Sequence, residues 1–288
     1  MNYRHAYHAG NFADVLKHSV LALTLQHLKL KDAPFRVIDT HAGIARYDLA
    51  GPQAAKTGEW SNGIGRLLGP GAAPKPADIT AYLAPYLEAV TALNTGGDLA
   101  RYPGSPLVAL ALMRKTDRLV ANELHPEDAA TLDDVIGGDR RVKVLQLDAY
   151  TALKSLLPPP ERRGVVLVDP PFEARDEFDR LMRGLREATR RFATGTYLIW
   201  YPIKDRSAVA AFHDEITVAR YAKAVAMELA IGATHNAFAL NACGLIVINP
   251  PHTLNAAAET LLPYFAQHLA QGPGAASQVR WLGTERIA

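Results

Sequence analysis

The sequence predicts an α/β fold built on a mostly parallel, doubly wound sheet. Short apolar segments recur along the chain, most of them end in a polar or acidic residue, and stretches with helical spacing separate them. This alternation is typical of sheets in which ligands bind beyond the carboxyl ends of the strands. At 288 residues, the chain is long enough for one domain with an insertion or for two domains.

Six segments are predicted to be the strands of this sheet. In chain order they cover residues 35–39, 118–123, 142–148, 165–169, 196–201 and 245–249. The first four end in an acid: Asp39, Glu123, Asp148 and Asp169. The carboxyl ends of parallel strands meet at one edge of a sheet. One acid at a strand end means little, but four in succession predict a pocket.

The alternation stops between residues 50 and 102. Residues 69–76 have the composition of a loop, and a helical apolar face follows at Ile79, Tyr82, Leu83, Tyr86, Leu87, Val90 and Leu93. We therefore predict three parts: 1–49 as the N-terminal segment and first strand, 50–102 as a helical insertion subdomain, and 103–288 as the remainder of the main domain.

Composition excludes several classes of protein. The formal charge of +2 is too small to indicate nucleic acid binding, so any basic surface must be local. The single cysteine excludes an intramolecular disulfide and a cysteine-rich zinc site, as expected in a reducing cytosol. Neither a signal peptide nor a membrane-spanning segment is predicted, which favours a cytoplasmic protein.

The N-terminal residues 3–18 are rich in aromatic and histidine side chains. A metal site at His5, His8 and His18 is not favoured, because no acidic or cysteine partner is suitably spaced. Two alternatives remain open. The segment is either a solvated entry to a helix over residues 13–30, or a flexible piece that orders over the pocket.

The first predicted strand leads into D-T-H-A-G-I-A-R, residues 39–46. Its glycine lets the backbone turn closely past a ligand, but the pattern is not the G-x-G-x-x-G of dinucleotide sites. An acid such as Glu123 commonly takes ribose hydroxyls, and Asp148 is placed to accept an adenine amino group. A nucleoside without a phosphate cradle matches S-adenosylmethionine, bound without metal.

Residues 164–172 read G-V-V-L-V-D-P-P-F, a buried strand that two prolines must end at Asp169. The Asp169 carboxylate and the Pro170 carbonyl are suited to accept N–H bonds from an exocyclic amine, which favours the pyramidal nitrogen that attacks a methyl sulfonium. The ring of Phe172 is suited to stack on a flipped base. A simple capped helix start is compatible with these roles.

A second segment, V-I-N-P-P-H at residues 247–252, has a similar pattern. We do not predict it to be catalytic, because His252 is a poorer stacking partner and the last strand of such sheets usually runs antiparallel. Its end would then lie on the far side of the sheet.

A row of basic residues follows the D-P-P-F motif. Apolar residues between 178 and 192 form one helical face, and the opposite arc carries Arg180, Arg183, Arg186, Arg190 and Arg191. Such an arc is usually a solvated face, and its place beside the motif allows phosphate contact as an alternative.

Six motifs resemble the bacterial 23S ribosomal RNA adenine-N6 methyltransferase family, of the adenine-2030 type. They lie at residues 3–18, 39–47, 102–107, 123–126, 169–172 and 191–202, and they span nearly the whole chain. The first and last are long and specific, whereas Asp-Pro-Pro-aromatic is common to many amino-methyltransferases. Phe172 stands where the family often has tyrosine, which preserves stacking.

The resemblance implies a Rossmann-like, S-adenosylmethionine-dependent methyltransferase with a mostly parallel seven-stranded sheet and a small helical insertion. S-adenosylhomocysteine would be the product, and 23S rRNA free of ribosomal protein the substrate of a monomeric enzyme. The implied cofactor contacts are His18, His41, Ser105, Glu123, Asp148, Ala149 and Asp169. The implied catalytic set is Asp169, Pro170 and Phe172, and the implied substrate contacts are Tyr3, Arg4, Lys17 and Phe172.

Two other functions remain open from the sequence. A DNA adenine or cytosine N-methyltransferase uses the same tetrapeptide, but the insertion is small for a target-recognition domain. A catalytically silent RNA-binding protein would not need acids at all four strand ends.

Overall fold

The computed structural model describes residues 4–233 and 240–285. The strands are β1 (Arg36–Asp39), β2 (Arg46–Asp48), β3 (Arg101–Pro103), β4 (Arg118–Asn122), β5 (Val142–Leu145), β6 (Gly164–Val168), β7 (Thr196–Pro202), β8 (Ala224–Ala230), β9 (Ala242–Ile248) and β10 (Ala276–Trp281). The helices are α1 (Phe12–Leu28), α2 (Pro52–Thr57), α3 (Glu59–Asn62), α4 (Ile64–Leu68), α5 (Ala77–Thr91), α6 (Ser105–Leu112), α7 (Pro126–Ile136), α8 (Ala149–Leu156), α9 (Glu177–Arg191), α10 (Arg206–Val218) and α11 (Leu254–His268). A short 3-10 helix covers His5–Tyr7.

Eight strands form the main sheet, in the order β10-β8-β9-β7-β6-β1-β4-β5. The five strands from β7 to β5 are parallel, whereas β9 runs antiparallel to β7 and β8, and β10 runs antiparallel to β8. The chain winds outward in both directions from β1 and β6, so these two strands flank the switch point where doubly wound folds bind ligands.

The prediction of seven strands was wrong by one. The additional edge strand is β10, whose residues alternate between exposed and half-buried. A polar edge strand buries too little surface to show as an apolar segment. Strands β2 and β3 form a separate two-stranded sheet at the borders of the predicted insertion.

Helices cover both faces of the sheet because its central strands are apolar on both sides. Every residue of β6 is buried, and alternate side chains enter two different cores. Val165 and Leu167 contribute to the core beneath α1, α5, α6 and α11, while Val166 and Val168 contribute to the core beneath α8, α9 and α10. The protein is therefore a three-layer α/β/α structure.

Residues 50–102 contain the four helices α2 to α5. The buried face of α5 includes Leu83, Tyr86 and Val90, and this helix packs against α1 and α6. The division into an insertion subdomain and a main domain stays a prediction. Within the described ranges, no helix has the length and apolarity to cross a membrane.

Candidate active site

Four acids lie beyond the carboxyl ends of neighbouring parallel strands. Asp39 is the last residue of β1, and Asp169 directly follows the adjacent β6. Glu123 follows β4, and Asp148 follows β5 after a two-residue gap. Asp39 and Asp169 therefore flank the switch point, with the other two acids on the β4–β5 side.

The carboxylate of Asp169 forms an ion pair with a buried lysine from α1. Lys17 Nζ donates to Asp169 Oδ2 and also lies 2.9 Å from Asp14 Oδ1. The other oxygen of Asp14 accepts bonds from the Gly10 amide at 2.9 Å and from His5 Nε2 at 3.0 Å. The D-P-P-F turn is thus connected to the N-terminal segment through one lysine and one aspartate.

These charges keep each other ionised despite their burial. Burial alone would raise the pKa of Asp14, but its interactions with His5 and Lys17 outweigh burial and hold that pKa well below its usual range. Burial alone would lower the pKa of Lys17, but Asp14 and Asp169 raise it well above its usual range. Lys17 therefore carries its charge at any physiological pH.

Asp39 differs from Asp169 because no basic side chain of the described ranges forms an ion pair with it. Its carboxylate is 1 % exposed and is bonded by the Ser105 hydroxyl and, at 3.3 Å, by the His41 amide. Burial raises its pKa to about 6, although the bond from Ser105 opposes the shift. The site thus holds a buried acid that a cationic group would stabilise.

His41 connects the turn after β1 to the turn after β6. Its Nδ1 lies 3.3 Å from the Asp169 amide nitrogen and 2.9 Å from the Thr40 hydroxyl oxygen. Burial lowers the pKa of His41 to about 4, although the charge of Asp169 opposes the shift. His41 is therefore neutral at pH 7 and positions the backbone of Asp169.

Glu123 holds the turn that contains Gly43. One of its oxygens accepts the Gly43 amide and the other accepts the His125 amide, each at 2.9 Å. Gly43 has φ +59°, and a Cβ there would lie 2.1 Å from the Tyr47 hydroxyl, so this position needs glycine.

Asp148 caps helix α8. One oxygen accepts the amides of Tyr150 and Thr151, and the other lies 3.4 Å from Arg180 Nη2. Ala149, the first residue of this helix, is buried beside it. The carboxylate of Asp148 is 41 % exposed and remains accessible to a ligand.

The D-P-P-F turn places Phe172 in the left-handed region, at φ +51°. A bulky residue with such a φ is uncommon and costs about 1–3 kcal/mol. Its ring packs edge-on against Phe178 and Trp200, with centroids 4.9 and 6.0 Å apart. Phe172 and Phe178 line a cavity of about 210 Å³ that also contacts Lys204. The ring is held in place and borders an open space, while Pro170 behind it is buried.

His18 lies beneath this site. The ring is 1 % exposed, and its Nδ1 is 2.7 Å from the Tyr102 hydroxyl, which lies 2.9 Å from that of Tyr86. Burial lowers the pKa of His18 to about 3. The structure thus places His18 in the layer that supports Lys17 and Asp14, and the cofactor contact implied for it stays a prediction.

The N-terminal segment contacts helix α7. Arg4 pairs with Glu127 and Asp128 on α7, at 2.6 and 2.5 Å. Its role as a substrate contact stays a prediction, and Tyr3 lies outside the described residues. The described residues contain no group of three or more His, Cys, Asp or Glu side chains able to hold a metal ion.

Sequence reasoning missed Asp14. The signal was present, since Asp14 and Lys17 are three residues apart on a helix whose other residues are mostly apolar, and a buried lysine needs an acid. The Asn122 side chain was missed as well. It donates to the carbonyls of Thr40 and Leu147 and accepts the Leu147 amide, so it joins the turns after β1 and β5.

The chain is similar to ribosomal RNA methyltransferases over nearly its full length. Residues 32–283 match the family model described as "Ribosomal RNA large subunit methyltransferase D, RlmJ". The curated relatives include the "Ribosomal RNA large subunit methyltransferase J" of Haemophilus influenzae, 40 % identical over 99 % of this chain and 100 % of that protein. The Escherichia coli protein of the same name is 38 % identical over 99 % of this chain and 100 % of its own length.

A solved structure has the same fold. It is a protein from Legionella pneumophila, with a TM-score of 0.84 and 31 % identity, and the match covers 95 % of this chain and 97 % of that one. The relatives and the family model together cover the switch point, the D-P-P-F turn and the flanking sheet. The chain therefore belongs to the RlmJ family of ribosomal RNA large subunit methyltransferases.

Proposed function

We propose that the protein transfers a methyl group from S-adenosylmethionine to the exocyclic N6 of a specific adenine in 23S ribosomal RNA. One observation carries this proposal: a carboxylate paired with Lys17, that of Asp169, begins an Asp-Pro-Pro-aromatic turn at the switch point of a doubly wound sheet. Family membership supports the class of substrate, which is RNA of the large ribosomal subunit.

The chemistry requires the nitrogen lone pair of an amine that is conjugated with the base ring. Lys17 occupies Asp169 Oδ2, so Oδ1 is the oxygen left for the amine. Together with the Pro170 carbonyl, it accepts the two N–H groups and favours a pyramidal nitrogen. When the nitrogen bonds to the methyl carbon, the carbon–sulfur bond of the donor would break and leave a neutral thioether. The Asp169 carboxylate would stabilise the positive charge on the nitrogen until its extra proton passes to solvent water.

Lys17 forms a buried ion pair with that carboxylate. It is about 5 % exposed, so its ion pair with Asp169 is shielded from water and from salt. Asp14 balances the lysine charge from the other side and fixes the position of Nζ. The result is a carboxylate that a buried ammonium group holds in one position.

The residues fit the expected cofactor. When bound, S-adenosylmethionine supplies an electrophilic methyl group on a sulfonium. Asp39 is a buried acid without an ion pair in the described part of the chain, which suits a ligand that carries positive charge. Glu123 and Asp148 would hold ribose hydroxyls and the adenine amine, with Ser105, His41 and Ala149 completing the cofactor side.

Phe172 would form the platform for the target base. Its ring borders the cavity that Phe178 and Lys204 also line, three residues along the chain from Asp169, and edge contacts with Phe178 and Trp200 hold it in place. A flipped adenine stacked on this ring would meet the carboxylate at its amine edge. Tyr3 and Arg4, at the end of the N-terminal segment, would contact the RNA around that base.

The state of the substrate and of the enzyme is also part of the proposal. The enzyme would act in the cytoplasm as a monomer on 23S rRNA that is free of ribosomal protein. Light scattering of the enzyme, and methylation of naked 23S rRNA compared with assembled large subunits, test these points. A dimer, or a preference for assembled subunits, would contradict them.

The decisive experiment supplies radiolabelled S-adenosylmethionine to naked 23S rRNA, genomic DNA and total protein in parallel. We expect label in RNA, recovered as N6-methyladenosine after nuclease digestion. Label in DNA would identify a DNA N-methyltransferase instead. RNA binding without transfer to any substrate would identify a silent RNA-binding protein.

A further inference from the structure

The outer face of α9 carries a row of arginines that begins near the D-P-P-F turn. Phe178, in the first turn of the helix, contacts Phe172, and the helix then runs to the opposite edge of the sheet. Its apolar residues face the core, so Arg183, Arg186 and Arg190 face outward. At about 1.5 Å per residue, this row extends over roughly 10 Å.

The row ends at a second cavity, of about 570 Å³, at the amino-terminal edge of β7 and β8. Three arginines line it, namely Arg186, Arg190 and Arg220, together with Tyr221 and Asn249. The other lining residues are small or apolar, apart from Thr189, and none of them is an acid. A concave surface with three guanidinium groups favours a phosphate-bearing ligand.

The ion pairs of these arginines are weak enough to be exchanged. Arg186 pairs with Glu215 at 3.0 Å, and Arg190 pairs with Glu187 at 2.9 Å, with the arginines 57 % and 69 % exposed. Exposed pairs of this kind contribute about 0–1 kcal/mol. Within the described ranges, Arg220 forms no ion pair with an acid.

Arg180 and Arg191 do not belong to this surface. Arg180 lies over the Tyr150 ring and pairs with Asp148 and Glu177. Arg191 is more buried than Arg190 and donates to Glu187 at 2.7 Å. The surface consists of Arg183, Arg186, Arg190 and Arg220, and we refer to it as the arginine surface.

We propose that the arginine surface binds the phosphodiester backbone of the substrate RNA, on the strand that flanks the target nucleotide. This proposal rests on the proposed function and specifies how the enzyme binds the negatively charged RNA chain beyond the target nucleotide. Phosphate contacts position a nucleic acid without reading its sequence. An RNA that presents one base at Asp169 must continue across the protein, and the row along α9 leads from that point to the cavity.

The test is a double variant, Arg190→Ala with Arg220→Ala, in the full-length protein. The matched control is Arg140→Ala with Lys115→Ala, which removes the same charge from exposed positions near the β4–β5 end of the sheet. Binding of a 23S rRNA fragment is measured by fluorescence anisotropy at several KCl concentrations. Methyl transfer gives KM and kcat, and calorimetry gives the affinity for S-adenosylmethionine.

We expect the arginine variant to bind RNA roughly tenfold more weakly at moderate salt. Its KM for RNA should rise, and its kcat should stay unchanged. The slope of log affinity against log salt should become shallower by about 0.7–0.9 per lost contact. The control should change affinity far less. Affinity for S-adenosylmethionine and melting temperature should match those of the unaltered protein in both variants.

Three results would overturn the proposal. The first is that the arginine variant has the RNA affinity and the salt slope of the unaltered protein. The second is that the control variant loses as much RNA affinity as the arginine variant. Inorganic phosphate could also saturate the cavity without competing with RNA, which would identify a small-anion site. If the unaltered enzyme failed to methylate RNA, the proposed function would be wrong, and the binding measurements would still decide whether this surface contacts RNA.

Discussion

Two turns with paired prolines, D-P-P-F at residues 169–172 and N-P-P-H at residues 249–252, lie at opposite edges of one sheet. They differ in what their polar side chains bind. Asp169 follows a parallel strand and offers one carboxylate oxygen beyond its ion pair with Lys17. Asn249 follows the antiparallel β9, so its turn lies at the amino-terminal edge. The Asn249 amide nitrogen donates to the carbonyls of Ala193 and Gly195 at 2.8 Å each, and its backbone amide donates to Lys223 at 2.9 Å.

The difference shows that the local pattern does not decide the role. Both turns follow a buried strand, and both include a residue in the left-handed region, Phe172 and Asn249. Strand direction places one beside the acids of the switch point and the other beside the end of α9. Strand β9 runs antiparallel, as the sequence predicted, so the second turn lies on the far side of the sheet from the four acids.

The largest expected effect comes from replacing Asp169 and Asn249 by alanine in two separate variants. Asp169→Ala should lower kcat by at least about two to three powers of ten, because the amine loses its charged acceptor. Asn249→Ala should leave kcat unchanged but lower the free energy of unfolding by about 2 kcal/mol, because two carbonyls lose their donor. Single-turnover kinetics and thermal melts measure both. Similar activity losses in the two variants would remove the distinction between the turns.

The second comparison concerns the aromatic platform. Phe172→Ala should lower the rate with RNA by about one to two powers of ten, since base stacking is worth about 1–3 kcal/mol. Phe172→Tyr should be nearly silent because the π-face survives. A Phe172→Ala protein that melts early but methylates normally when folded would show that the ring only packs against Phe178 and Trp200.

A smaller effect is expected when pH changes the charge of Asp39, at the carboxyl edge of the sheet. The pKa of Asp39 is raised to about 6 by burial, so a cationic ligand should bind better as pH rises through 6. Affinity for S-adenosylmethionine should therefore increase by up to about tenfold between pH 5 and pH 7. Calorimetry across this range measures the trend. Asp39→Asn should bind weakly at every pH, and a persisting slope in that variant would assign the titration to another group.

Asp39 also affects the stability of the free protein. The unfolded state ionises near the ordinary value of 3.8, whereas the folded state holds its proton until about 6. Folding therefore becomes less favourable as pH rises through this interval, as far as this group is concerned. Relative to the unaltered protein, Asp39→Asn should gain stability between pH 4 and pH 6 in urea titrations.

The smallest effect is expected at His252, which holds the position in the second turn that Phe172 holds in the first. Its exposed ring contacts His27 edge-on, with centroids 4.9 Å apart. His252→Ala should change stability by less than about 0.5 kcal/mol and leave methyl transfer unaltered. A clear loss of activity would mean that the second turn reaches the RNA.

The sequence predicted the central strands, the acids at their ends and the helical face of α5, because each depends on local patterns. Strand β8 was missed because A-V-A-M-E-L-A is rich in helix formers, and its pairing with β9 and β10 overrides that preference. Its Glu228 accepts bonds from the Tyr201 hydroxyl and from Arg206. No local pattern shows such partners.

The same limit applies to the site. Lys17 and Asp169 are 152 residues apart, so their ion pair depends on how α1 packs across the sheet. Sequence reasoning placed Lys17 on the substrate side only through a family resemblance. The identity of its second partner, Asp14, required the geometry.

This long separation bears on how the protein is made. Helix α1 is nearly all buried, and the elements that cover it include α5, β6 and α11, the last of which ends at His268. A ribosome needs roughly 10 to 50 seconds to synthesise the intervening chain. Until α11 has been made, the cover of α1 is incomplete, and until β6 has been made, Lys17 has only Asp14. Nascent chains shorter than about 250 residues should thus bind chaperones and hydrophobic dyes, and the catalytic carboxylate acquires its lysine only after β6 has been made.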